Sequence, residues 1–255
     1  MPRFAANLTM LFTELPFLAR FDAARRAGFQ GVEFLFPYDH DADEIHRALD
    51  DCGLPLILFN TPPGDWASGE RGHAALPGCA AEFGEAQRLA FQYSRILEPR
   101  FLHVMAGNAA GPEAASCFRD NLAALAARNP DQDFLIEPLN PHDMPGYFLN
   151  DFKTSREILE GIAAPNLHLQ FDAYHAGRIT GDALGQWQTS RDLVRHVQIA
   201  GYPGRHEPTG GEIDYPAFFA RLDADGYDGF VSAEYNPATT TTEGLGWMHT
   251  ASTVF

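Results

Sequence analysis

Eight short apolar runs, separated by segments with helical patterning and spread over 255 residues, predict a (β/α)8 TIM barrel occupying residues 1–255 as a single domain. Two further observations support that class. Most of the runs are bounded by Gly, Pro or Asn, as where buried parallel strands meet turns. No long polar or Pro/Gly/Ser-rich linker divides the chain. A doubly wound sheet fits the same periodicity, because alternation of elements does not by itself close a sheet.

The predicted strands run in order through RFAANL at 3–8, GVEFLF at 31–36, PLILFN at 55–60 and FLHVMAG at 101–107. FLIEPL at 134–139, LHLQFDAY at 167–174, VRHVQIAG at 194–201 and FVSAEYN at 230–236 complete the set. Between them, CAAEFGEAQRLAFQYSRIL at 79–97 and CFRDNLAALAAR at 117–128 repeat apolar residues at helical spacing, as do shorter runs at 152–162 and 215–226. GFQGVEF and GYDGFVSAEY share a local grammar in which Gly28 and Gly226 end a helix in the left-handed conformation and a second glycine opens a strand. The segment TPPGDWASGERGHAALPG at 61–78 is the most irregular connection, suited to a functional loop in which Trp66 covers a ligand, or to a merely exposed one.

Composition narrows the function classes. The chain carries 34 acidic residues against 18 Lys and Arg, a formal charge of -16, which opposes a general nucleic-acid-binding surface. Three widely spaced cysteines form neither a Cys-x-x-Cys pair nor a disulfide framework, and read as thiols of a reducing compartment. The N-terminus has no signal-peptide pattern, and no stretch approaches the roughly 20 apolar residues of a membrane span. The expectation is a soluble cytoplasmic protein with no nucleic-acid or membrane partner.

Four of the later strands carry an oxygen ligand near their C-terminal ends: Glu137, Asp172, Gln198 and Glu234. Side chains alternate along a strand, so Asp172 shares a face with Gln170 and His168, Gln198 with His196, and Glu234 with Ser232. If these faces point into a barrel, the four meet at the rim where barrel active sites form. Three carboxylates and an amide oxygen suit Mg2+ or Mn2+ better than a thiolate-selecting metal, and a cation would relieve their mutual repulsion. Separate solvent-facing acids and a polar glutamine are the other reading of the same spacing. His175 follows Asp172 closely enough to bond a substrate oxygen, or serves as a loop histidine. His103 could orient a substrate hydroxyl or pack in the core, and Arg205 could clamp a carboxylate in two-point geometry or form a surface salt bridge. Glu33 lies early in its strand and fits a buried polar network, while Asn7 and Asn60 could line the rim or make turns.

The segments GFQGVEFLFPYD, FLIEPLN, FDAYHAGR, HVQIAGYPGRHEPTGGEIDY and GYDGFVSAEYNP together resemble the hydroxypyruvate isomerase family, within the xylose-isomerase-like barrel superfamily. The resemblance covers almost the whole chain. It implies a metal shell of Glu137, Asp172, Gln198 and Glu234, holding a divalent ion and no organic cofactor, with His175 and Arg205 toward substrate; His103 is expected on the substrate side from its place in the fourth strand. It also implies conversion of hydroxypyruvate to 2-hydroxy-3-oxopropanoate through a cis-enediolate, with Glu137 and Glu234 moving the protons of this small hydroxy-oxo acid. Homo-oligomers are compatible with the family. PLNPHDMPGYFLN departs from the related sugar epimerases, which usually offer another Glu there. The alternatives are a 2-oxo-tetronate isomerase, a C3 sugar epimerase, a phosphosugar endonuclease-like enzyme and a non-catalytic small-acid-binding barrel.

Overall fold

The structure is a computed structural model that describes residues 2–248. The eight runs become β1 (Arg3–Asn7), β2 (Gly31–Glu33), β3 (Leu56–Asn60), β4 (Phe101–His103), β5 (Asp133–Ile136), β6 (Leu167–Asp172), β7 (Val194–Ile199) and β8 (Phe230–Ala233). All pair in parallel and in chain order, and β8 returns to β1, so the sheet closes. Around it lie α1 (Ala19–Arg26), α2 (Ala42–Cys52), α3 (Ala80–Leu97), α4 (Gly111–Arg128), α5 (Phe152–Ile162), α6 (Ala173–Thr180), α7 (Ala183–Ser190), α8 (Tyr215–Ala224) and the short α9 (Thr241–Gly244). The protein is a (β/α)8 barrel, and the open doubly wound sheet is excluded. Among the described residues no helix is long and apolar enough to cross a membrane.

Local chemistry accounts for the helix ends. Asp41 caps α2 by accepting from the backbone N–H of Asp43 and Glu44, and Ile45, Leu49 and Cys52 form its buried stripe. Helix α4 begins at Gly111, earlier than the apolar pattern at 117–128 suggests, because Pro112 sits in its first turn, where no N–H is needed. Gly28 and Gly226 both take positive φ just beyond α1 and α8, as expected.

Strand alternation divides the core. Outward residues such as Leu102, Phe134, Ile136, Leu169, Phe171, Val197 and Val231 join Ile45, Phe118, Leu122, Ile158, Trp187, Phe218 and Leu222 of the helices in one apolar layer. Each such side chain contributes about 1.5–3 kcal/mol by leaving water, so this layer holds the helices to the barrel. A separate inner cluster of Ala5, Ile57, Leu58, Phe101, Leu135 and Phe230 fills the N-terminal end of the barrel interior. Above it the inward positions turn polar: Asn7, Glu33, His103, Gln170, His196 and Ser232 are all buried. An apolar floor beneath buried polar residues directs the chemistry to the C-terminal mouth.

Candidate active site

β5 and β8 end one residue before Glu137 and Glu234, Asp172 is the last residue of β6, and Gln198 lies inside β7. The register sets Asp172 beside Gln198, and Gln198 beside Ser232. All four oxygen ligands expected from the sequence are buried at the barrel mouth. Asp172 has a second task as the N-cap of α6. Its Oδ1 accepts from the N–H of Tyr174 at 2.7 Å and of His175 at 3.3 Å, which brings His175 over the mouth. Its Oδ2 is buried without a hydrogen-bond partner, aimed where a ligand would sit.

Beneath the mouth a chain of amides links the carboxylates. Gln170 Nε2 donates to Glu137 Oε2 at 2.8 Å and to Gln198 Oε1 at 2.6 Å. Gln198 Nε2 in turn donates to Glu33 Oε1 at 2.7 Å and to Glu234 Oε2. Because three of these four acceptors are carboxylate oxygens, the orientation of both amides is dictated by chemistry. Glu33 also accepts from Asn7 Nδ2 at 3.0 Å and meets His196 Nε2 at 2.6 Å, so it belongs to the buried network as expected, although it is the last residue of β2 and does not lie early in the strand as the sequence suggested. Burial works to raise the Glu33 pKa, but His196, the Gln198 amide and Ser232 pull it below the usual value.

The remaining acids are poised the other way. Burial, reinforced by Glu234 and Asp172, pushes Glu137 well above the ordinary glutamate range. Burial raises Glu234 to about 8 against the opposing charge of Arg205, and Asp172 to about 6 against the same guanidinium. Arg205 is 2.6 Å from Glu234 Oε1 and 3.9 Å from Asp172 Oδ2, under the ring of Tyr174. It is therefore a part-buried partner of the acids and not a surface salt bridge. His103 meets Asn60 Oδ1 through Nδ1 at 3.1 Å, and its Nε2 lies 4.0 Å from Glu137 with no hydrogen-bond partner. Burial lowers its pKa to about 3 and lowers that of His175 well below the usual value, so both imidazoles are neutral. Ligand atoms of Glu137, Asp172 and His175 lie within 4.8 Å of one another, close enough to share one metal ion.

Other expected contributors sort differently. His168 lies at the opposite end of its strand, half-buried and 3.5 Å from Asp133. Trp247 donates to Tyr235 in the core, whereas Trp66 is 39% exposed, packs on Phe36 and carries the Arg71 guanidinium 3.6 Å from its ring centre. Its loop is pinned where Gly72, at positive φ, bridges to Ala106. A Cβ on Gly72 would come within 2.3 Å of the Met105 carbonyl oxygen. Sequence reasoning missed Asn140, which contacts His175. Its signal was present in the Asn-Pro-x-Asp run that an Asx-turn favours.

A closed barrel whose strand ends gather carboxylates and a histidine around one buried point has the architecture of a metal-dependent TIM-barrel enzyme. Residues 21–251 match the family model of the xylose isomerase-like TIM barrel, and the chain belongs to that family. It is 47% identical over 254 residues to a 2-oxo-tetronate isomerase of Cupriavidus necator, spanning 97% of this chain and 98% of the relative. It is 39% identical over 254 residues to the hydroxypyruvate isomerase of Escherichia coli, with 97% and 98% covered. A solved structure described as AP endonuclease, family 2, from Brucella melitensis superposes with a TM-score of 0.94 at 44% identity, over 98% of this chain and 99% of that one. The family resemblance read from the motifs is thus correct for the barrel family, and at the finer level the chain is related to hydroxypyruvate and 2-oxo-tetronate isomerases alike.

Proposed function

We propose that this protein interconverts a short 2-oxo acid and its 3-oxo isomer, with 2-oxo-tetronate ahead of hydroxypyruvate as substrate. The observation that carries the reaction class is the meeting of Glu137 and Glu234 with Asp172 and Arg205 at one buried mouth, the first two joined through Gln170 and Gln198. Similarity to 2-oxo-tetronate isomerases of Cupriavidus necator and Haemophilus influenzae, at 47% and 41% identity, favours the four-carbon acid over the reading suggested by the motifs alone.

Both acids share a C1 carboxylate, a C2 carbonyl and a C3 hydroxyl, and they differ only in what else C3 carries. One set of groups therefore serves either. One of Glu137 and Glu234 takes the proton from C3 to give a cis-enediolate, the other delivers a proton to C2, and transfer of the C3 hydroxyl proton to O2 completes the exchange of carbonyl and hydroxyl; reversal of direction exchanges their roles. Burial raises both carboxyls above the ordinary glutamate range, the direction that suits groups which must hold a proton as well as release one. Arg205 receives the substrate carboxylate, His103 and His175 contact its oxygens, and the buried setting excludes bulk water. Glu137, Asp172, Gln198 and Glu234 are the candidate ligands of Mg2+ or Mn2+; the unpartnered Asp172 Oδ2 and the second lone pair on Gln198 Oε1 fit such an ion. When bound, a divalent ion offsets the carboxylate charge and stabilises negative charge developing on substrate oxygen.

A product-resolved assay with 2-oxo-tetronate and hydroxypyruvate, each with Mg2+, Mn2+ or chelator, tests the reading. We expect isomer formation, faster with the four-carbon acid and lost with chelator. Failure to isomerise either acid in the presence of both metals rejects it. Hydroxypyruvate as the preferred substrate, the second reading, is favoured by similarity to the Escherichia coli enzyme at 39% identity.

A further inference from the structure

Distance alone offers His175 as a metal ligand, since it groups with Glu137 and Asp172. Its hydrogen bonds argue otherwise. The backbone N–H of Asn140 points at His175 Nδ1 from 3.0 Å. A backbone N–H only donates, so Nδ1 must present its lone pair. The Asn140 side chain delivers the same message independently. Its Oδ1 accepts from the N–H of His142 at 3.1 Å and of Asp143 at 3.0 Å, which fixes the amide orientation. Nδ2 then faces Asp143 Oδ2 at 2.9 Å and His175 Nδ1 at 2.8 Å. Two donors from one residue converge on a single ring nitrogen.

We propose that Asn140 is a positioning residue that locks His175 as the Nε2–H tautomer, making it a hydrogen-bond donor to a substrate oxygen and not a metal ligand. A neutral imidazole carries its one ring proton on the nitrogen left free by Nδ1. Here that nitrogen is Nε2, which lies 3.7 Å from the buried Asp172 Oδ2 at the mouth. Nε2 consequently has no lone pair in the ring plane to offer a cation. What it offers is a fixed N–H, of the kind that stabilises charge gathering on a carbonyl or enediolate oxygen without itself being an acid. Asp172 completes the placement: its Oδ1 caps the first turn of α6 and sets the histidine backbone, while Asn140 sets the ring. The tautomer follows from hydrogen-bond donors alone, and the catalytic role assigned to it rests on the proposed isomerase reading.

Histidine-selective 15N labelling with long-range proton–nitrogen correlation separates the two tautomers directly, with His175→Gln identifying the resonance. The expected spectrum of the wild-type protein has a bare Nδ1 and a protonated Nε2, unchanged when Mg2+ is added. Protonation at Nδ1, or loss of the Nε2 proton on Mg2+ addition, overturns the proposal. Asn140→Asp replaces the amide donor by an acceptor and should shift signal toward the Nδ1–H form. It should also lower kcat by about 10²-fold, the size of a lost oxyanion donor, without the loss of about 10–100-fold in Mg2+ affinity that follows when a group orienting a metal ligand is removed. Asn140→Ala keeps the backbone donor, so it should retain the Nε2–H spectrum and lose less activity. A wild-type spectrum and rate in Asn140→Asp would sink the role of Asn140. If the wild-type protein isomerises neither acid, the functional reading fails, while the spectrum still decides the tautomer.

Discussion

Arg205 Nη2 stands 2.6 Å from Glu234 Oε1 at the centre of the barrel mouth, and the same nitrogen is 3.9 Å from Asp172 Oδ2. This guanidinium is the positive charge against which the buried acids are balanced, and its Nε has no hydrogen-bond partner. A planar cation held this way can turn part of its donor set toward an incoming carboxylate.

Replacing Arg205 with Met should therefore damage binding more than folding. We expect KM for the 2-oxo acid to rise by at least about tenfold, consistent with the roughly 1.5–3 kcal/mol of a hydrogen bond to a charged group. Arg205→Lys should recover only part of this, because a lysine lacks the two-point fork. Steady-state kinetics unchanged in Arg205→Met would remove the residue from substrate recognition.

Glu137→Gln and Glu234→Gln each keep the side-chain shape but cannot carry the C–H proton. Both should lower kcat by roughly 10²–10⁴-fold, the span of a lost general acid or base, while circular dichroism stays that of the wild type. Deuterium wash-in at C3 would separate the roles, since a variant that lacks only the C2 donor still exchanges the C3 proton. Turnover near the wild-type rate in either variant rejects that residue as a proton carrier.

Gln170 touches Glu137 and Gln198 at once through a single nitrogen. Gln170→Leu should loosen both, so Mn2+ affinity measured by calorimetry should fall by about 10–100-fold, as for other groups that orient metal ligands. Equal affinity in the two proteins would show that these hydrogen bonds do not position the ligands.

The raised acids also predict how stability responds to pH. Glu234, lifted from 4.5 to about 8, and Asp172, lifted from 3.8 to about 6, hold their protons more tightly folded than unfolded. Their stabilising contribution is complete below the unfolded values and lost as pH rises through the folded ones. In chelator, Tm should decline between about pH 5 and about pH 8.5, and Glu234→Gln should flatten that decline. Added Mn2+ should raise Tm more at the upper end of the range, where the carboxylates are free to bind it. A decline in Tm as steep in Glu234→Gln as in the wild type would remove Glu234 as its source.

Gly72 tests the loop above the mouth. Gly72→Ala sets a Cβ within 2.3 Å of the Met105 carbonyl at a positive φ, a conformation that costs about 1–2 kcal/mol for a residue with a Cβ. Loss of several degrees in Tm, with a raised KM, is the expected outcome. A variant as stable and as active as the wild type would show that the loop tolerates release from Ala106.

Much of this molecule is legible in its sequence. Period-two alternation in LHLQFDAY, VRHVQIAG and FVSAEYN places Asp172, Gln198 and Glu234 on the same faces as Gln170, His196 and Ser232, because the pleat is a local property of the chain. The capping signals of α2 and the left-handed glycines after α1 and α8 are equally local. Closure of the sheet is not, since a doubly wound arrangement satisfies the same pattern, and closure is what brings Glu137 and Glu234 to one point. The pairing of Arg205 with Glu234 and Asp172 was hidden for the same reason, as these partners lie far away in sequence.

Residue types and strand parity, then, were set by the sequence itself, and with them the oxygen-rich character of the mouth. Only the tertiary structure decided which atoms face which. Gln170 and Gln198 could each have pointed either way until three carboxylates surrounded them, and His175 could have carried its proton on either nitrogen until Asn140, 35 residues away, supplied both donors. Hydrogen-bond direction depends on neighbours in space, and a chain read in one dimension does not contain them.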